Sequence, residues 1–84
     1  RPGRTLTREQ MATMLARFYA LSGITAAGSA DSYADADAIS AWAVNGVALC
    51  TARGLVQGDP QGRFCPQSDL TRAQIAAILS RMAE

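Results

Sequence analysis

The stretch LTREQMATMLARF at positions 6–18 returns as LTRAQIAAILSRM at positions 70–82, sixty-four residues later. Pairing Pro2 with Pro66 and continuing without gaps, Leu6 meets Leu70, Thr7 meets Thr71, Arg8 meets Arg72 and Gln10 meets Gln74. Ala12, Leu15 and Arg17 meet Ala76, Leu79 and Arg81, while Met11/Ile75 and Met14/Ile78 are apolar in both copies. A match held over seventeen residues marks two copies of one unit, the first lacking its front half. Thr7-Arg8-Glu9-Gln10 and Thr71-Arg72-Ala73-Gln74 each fit a capping box: the Thr hydroxyl accepts from the first turn, and the Gln reaches back to the Thr N–H. Apolar residues then recur at helical spacing, Met11, Met14, Leu15 and Phe18 in one copy and Ile75, Ile78, Leu79 and Met82 in the other. These faces are expected in the core. The first helix is expected from Arg8 to about Leu21, stopping near Gly23.

Between the copies, residues 23–32 (GITAAGSADS) read as a linker. A middle helix follows, with Asp37 or Ser40 as its cap and Ile39, Trp42, Ala43, Gly46, Val47 and Cys50 on one face. Gly54 falls where a left-handed C-terminal cap belongs. Gly58-Asp59-Pro60-Gln61-Gly62 is turn chemistry, and Phe64 with Pro66 marks an extended segment. No long alternating run argues for a sheet. The predicted fold is all-α: three main helices in helix–loop–helix units, with little or no strand.

Composition narrows the function classes. The 84 residues are 49% hydrophobic and 18% charged, with a net charge of +1, so nothing pulls the whole chain toward nucleic acid or an anionic membrane. No apolar run approaches the roughly 20 residues of a membrane span. All eight cations are Arg, whose planar fork binds anions bidentately. There is no His, which removes the usual general base, and two Cys cannot make a zinc site alone, so no metal or cofactor is expected. Hydrolysis without His would need a carboxylate pair; Asp35 and Asp37, two apart in a loop, are a poor one, and no enzyme is expected. Arg1 is not an initiator Met, so the chain reads as part of a longer protein.

The order of motifs resembles the S-layer homology repeat. An aromatic-x-Asp entry is Tyr33-Ala34-Asp35, the Trp-Ala helix start is Trp42-Ala43, and the Gly-apolar-x-x-Gly turn is Gly54 to Gly58. Gly-x-Phe-x-Pro is Gly62 to Pro66, and Thr-Arg-Ala-Gln is Thr71 to Gln74. The organisation implied is residues 1–22 as the second half of a preceding repeat, 23–32 as linker and 33–84 as a complete repeat. Tyr33 replaces the common Phe, Gln10 and Gln74 stand where Glu is frequent, and Gly46 replaces the usual Ala, which should loosen the middle helix.

The resemblance implies a module of three repeats, mostly helical and lobed, anchored non-covalently at the bacterial cell surface. It implies an acidic, possibly pyruvylated, secondary cell-wall polysaccharide as partner, bound in grooves between repeats. It assigns the contact to Arg72 and, through the repeat, to Arg8. The residues themselves leave alternatives open. Each Arg takes the first helical position, where free N–H groups and the helix dipole favour an anion. Solvation or pairing with Asp35, Asp59 or Asp69 is the other reading. Trp42 could stack on a sugar or pack in the core. Asp35 could accept polymer hydroxyls or tie down its loop, and Gly58 could admit a ligand to the backbone or simply turn the chain. Arg17 and Arg81 suit helix C-termini. Cys50 and Cys65 could form a disulfide or stand as free thiols, Cys50 facing inward and Cys65 turned away from Phe64. The competing function is structural: a packing or self-associating fragment, docking on neighbouring repeats, with no complete ligand groove.

Overall fold

The computed structural model describes residues 6–24, 29 and 31–83. Three α-helices carry it: α1 (Arg8–Ala20), α2 (Val44–Ala52) and α3 (Arg72–Met82), with 3₁₀ turns at Ala36–Ala38 and Ala41–Ala43 before α2. Among the described residues the β-pairing is a single antiparallel bridge, Thr7 with Asp69, so the all-α expectation holds. Residues 25–28 and 30 of the predicted linker, and Pro2 at the head of the repeat match, lie outside the described residues.

Local chemistry sets the helix ends. Both capping boxes form: the Thr7 hydroxyl accepts from Gln10 N while Thr7 N donates to the Gln10 side chain, and Thr71 with Gln74 repeats this. α1 ends at Gly23, whose φ of 79° lets Ile24 N donate back to Tyr19 O. α2 ends the same way at Gly54, with Leu55 N donating to Cys50 O and Gly54 N to Thr51 O. The start of α2 differs from expectation. Asp37 lies in the first 3₁₀ turn, Ser40 precedes the second without a side-chain capping bond, and the α-helix proper opens after Ala43. With no cap of its own, α2 rests on burial: Gly46, Val47, Ala48, Leu49 and Cys50 are all buried.

α1 lies directly on α2. Ala12 is fully buried at the crossing, and the Cys50 thiol donates to Ala12 O at 3.7 Å. A Cβ on Gly46 would stand 2.7 Å from Ala12 O and 2.9 Å from Thr13 Cα. The missing side chain of Gly46 is thus what lets two backbones meet. Phe64 is fully buried, its ring 5.2 Å from that of Tyr33, whose hydroxyl bonds Thr51 at 2.7 Å. α3 packs through the loops, with Ile78 its one buried residue.

The predicted helix faces need correcting. On α1 the buried set is Glu9, Met11, Ala12, Leu15 and Tyr19, while Met14 and Phe18 are each 56% exposed. On α3, Leu79 is 53% exposed. The apolar stripe is wider than the contact it makes: Met14, Phe18 and Leu79 belong to it by spacing and are left uncovered among the described residues.

Candidate functional site

Two adjoining clefts open beside the N-terminus of α1. The larger, about 340 Å³, is lined by Arg8, Gln57, Gly58, Arg63, Cys65 and Gln74 among others. The smaller, about 250 Å³, shares Arg8, Gln57 and Gln74 and is closed by Leu55, Ile78 and Arg81. Arg8 is common to both because its side chain is fixed. Its Nε donates to Phe64 O at 2.7 Å and its Nη2 to Gln57 O at 2.9 Å, with the guanidinium 4.8 Å above the Phe64 ring. Carbonyls and a ring face hold the guanidinium without neutralising it. Pairing with Asp35, Asp59 or Asp69, one of the alternatives left open, is not what Arg8 makes.

The first-turn N–H groups of α1 are also occupied. Arg8 N donates to Ser68 O and Glu9 N to Pro66 O, and Gln10 N goes to the cap. The expectation of free N–H groups for an anion is thus corrected: at α1 the chain's own 66–68 segment fills that position, and the side chain of Arg8 carries the positive charge into the cleft.

Asp59, which also lines the larger cleft, organises its loop. Its carboxylate accepts from Arg63 N at 2.8 Å, Gln61 N at 2.9 Å and Arg63 Nε at 3.2 Å. The Arg63 N–H, then the Gln61 N–H and the Arg63 charge, hold this carboxyl below its ordinary value. Cys65 reaches the same carboxylate with its thiol at 3.6 Å and has a φ of 59°, so it is not on extended backbone as expected. Gly58 borders the cleft from the other side. A Cβ there would come within 3.1 Å of the Tyr33 ring, so the glycine is set by packing as well as by the turn.

The structure separates the remaining predicted residues. Asp35 ties its loop: its carboxylate accepts from Phe64 N at 2.7 Å and Cys65 N at 2.9 Å, which positions the wall carrying Phe64 and Cys65. Trp42 is not on the core face; it is 59% exposed, because the 3₁₀ turn Ala41–Ala43 points Ala43 inward instead. Arg72 is exposed at the start of α3 and lines neither cleft. Arg81 donates to Leu55 O at 3.1 Å rather than only facing its own helix end. Both cysteines are free, Cys50 buried and Cys65 partly so.

Glu9 was not singled out by the sequence, yet among the described residues it is the buried charge, 5% exposed. It accepts from Ser40 N and Ser40 Oγ, each at 2.9 Å, and from the Gln67 amide at 3.4 Å. It pins α1 to the turn before α2; in the second copy of the repeat Ala73 stands in its place.

The family model described as the S-layer homology domain matches residues 32–76. The chain is 35% identical over 86 aligned residues to an amylopullulanase of Thermoanaerobacterium thermosulfurigenes, with all of the chain covered but 5% of the relative. It is 36% identical over 86 residues to exoglucanase XynX of Acetivibrio thermocellus, covering 8% of it. It is 34% identical over 79 residues to cell surface glycoprotein 1 of the same species, where 94% of the chain covers 3% of the relative. The chain thus spans less than a tenth of each of these relatives. No solved structure matches it, and no described helix is long and apolar enough to cross a membrane. With more than half its length matched by that model, the five motifs in register and the repeated capped helix, the chain belongs to the S-layer homology domain family of bacterial cell-surface attachment domains.

Proposed function

We propose that this chain anchors its parent protein to the bacterial surface without a covalent bond, by binding an acidic secondary cell-wall polysaccharide in the clefts beside Arg8. The observation that carries this reading is the guanidinium of Arg8, held by the Phe64 and Gln57 carbonyls and facing two open clefts with no carboxylate paired to it. A pre-positioned Arg beside Gln57, Gln74 and a glycine turn suits a carboxylate-bearing sugar, which offers an anion for the fork and hydroxyls for the amides. Pyruvyl ketals would supply such an anion. Arg72 is the equivalent cation of the second copy, Trp42 offers an exposed ring for sugar stacking away from the clefts, and Asp35 acts by shaping the cleft wall. The chain's own role is binding; catalysis is assigned to none of its residues.

The test is binding of purified wall polymer to the 84-residue chain, with Arg8→Gln and Arg72→Ala beside it and helical content checked in each. The expected result is that the wild type binds, that Arg8→Gln keeps its helices and weakens binding about tenfold or more, and that Arg72→Ala binds as the wild type does. Equal binding by wild type and Arg8→Gln would overturn the site; no binding by the wild type would overturn the reading for this chain.

A further inference from the structure

Two carbonyls hold Arg8 in the clefts, and one of them is itself held from behind. Phe64 O, which takes Arg8 Nε at 2.7 Å, belongs to the same peptide group as Cys65 N, which donates to Asp35 Oδ2 at 2.9 Å. The described peptide bonds are trans, so this carbonyl and this N–H point in opposite directions. The group therefore stands between two opposite charges, its N–H toward the carboxylate and its C=O toward the guanidinium. Each charge pulls along the peptide dipole, so each bond strengthens the other. Among the described residues no ion pair joins Asp35 to Arg8 directly.

The backbone at this point departs from ordinary geometry. Cys65 has a φ of 59°, in the region that disfavours a side chain. Beyond that turn, Pro66 O and Ser68 O take Glu9 N and Arg8 N at the start of α1. A residue in this region persists where its surroundings over-determine it, and such residues gather at ligand clamps. Asp35 supplies the determination. Its other oxygen accepts from Phe64 N at 2.7 Å, so two successive N–H groups end on one carboxylate. Asp35 is in turn kept in register, because Ala34 N donates to Gly62 O at 2.8 Å and the Tyr33 ring lies against that of Phe64.

We propose that Asp35 is a positioning residue for Arg8, acting through the Phe64–Cys65 peptide group as a relay and never touching the ligand. The proposal rests on the reading of Arg8 as the anion-binding residue of the clefts. Asp35 fixes the direction of the Phe64 carbonyl, polarises it, and so sets where Nε of the guanidinium is held. The other arm of Arg8 goes to Gln57 O and lies outside the relay. The remaining N–H groups of the fork are left to the clefts.

The test reads both ends of the relay by nuclear magnetic resonance on the 84-residue chain without ligand. Arg8→Gln removes the charge at one end. The Cys65 amide proton should then move upfield. The Phe64 amide bonds the same carboxylate from the preceding peptide group, whose carbonyl takes Asp59 N instead, and should keep its place. Equal movement of both amides, or of neither, overturns the relay. Asp35→Asn removes the charge at the other end, keeping one acceptor and setting an amide N–H against the second donor. The Arg8 Nε–H signal, identified by its loss in Arg8→Gln, should exchange with water more than ~10-fold faster. Cys65→Gly added to Asp35→Asn relieves the left-handed residue. It should return the thermal midpoint toward that of the wild type while Nε–H exchange stays fast. Slow exchange restored by the glycine, or never lost in Asp35→Asn, would show that Asp35 merely steadies its turn, and overturns the proposal. Where Asp35→Asn does not fold, the Arg8→Gln comparison decides alone. Binding of purified wall polymer gives a third reading. Asp35→Asn should weaken it about tenfold in the wild-type background and less than about twofold in Arg8→Gln. Additive losses overturn the action through Arg8. A wild type that binds no polymer overturns the proposed function instead, and the relay then stands or falls on the two resonance measurements.

Discussion

Burial pushes the Cys50 thiol up to about 11 from an ordinary value of 9.0. The sign of the pH effect follows directly. The fold favours the neutral thiol, so this stabilisation is complete below the unfolded value near 9.0 and is lost as the pH climbs through about 11. Cys65 sits at the cleft edge and is partly exposed, where Cys50 is buried. At mildly alkaline pH one thiol per chain should therefore react with a disulfide reagent in the native protein and two after denaturation. Two rapid equivalents in the native state would show that the Ala12–Cys50 contact opens readily. At this scale some residues could be read in sequence and others could not. Thr7, Gln10, Thr71 and Gln74 were legible because a capping box closes within four residues. Glu9 was not, because its donors come from Ser40, thirty-one positions on, and nothing local distinguishes it from a solvated first-turn acid. Asp35 stood between two readings until its partners, Phe64 and Cys65, were in place.

The three helices were legible as elements, because periodicity and end signals are local. Which face each helix buries was not, because that depends on what lies against it. Trp42 moved outward for this reason: a 3₁₀ turn has three residues per turn, so a face drawn at helical spacing rotates through it. Gly46 shows how a contact reverses an expectation drawn from propensity. In an exposed helix, Gly→Ala would stabilise by up to about 1 kcal/mol. Here the added methyl would meet the backbone of Ala12 and Thr13 at 2.7–2.9 Å, and backbone cannot rotate away as a side chain can. The two helices would have to part, opening the core around Val47 and Cys50. Gly46→Ala is expected to destabilise the chain by about 1–3 kcal/mol in denaturant unfolding. A stabilised variant would mean that α1 and α2 can shift apart at little cost.

The sequence unit and the folding unit are offset in this molecule. The family match runs over residues 32–76, a repeat that begins before α2 and ends within α3. Yet α2 takes its cover from α1, which belongs to the copy before, and α3 touches the rest mainly through Ile78. Leu70 N donates to Leu6 O, Arg8 holds the Phe64 and Gln57 carbonyls, and Glu9 holds Ser40, so several ties join α1 and its lead-in to the span of the family match. An isolated repeat would expose the buried set Val47, Leu49 and Cys50 along one side of α2, a helix without a side-chain cap. A nine-residue helix that loses the face covered by α1 is too short to hold in water by propensity alone. A chain of residues 31–84 alone is therefore expected to lose its cooperative thermal transition and most of its far-ultraviolet helical signal, although it contains the whole of the family match. Circular dichroism on that chain beside the full 84 residues decides the matter. A cooperative transition retained within a few degrees of the full chain would show that the repeat folds by itself, and that α1 is an attachment to it rather than part of its core.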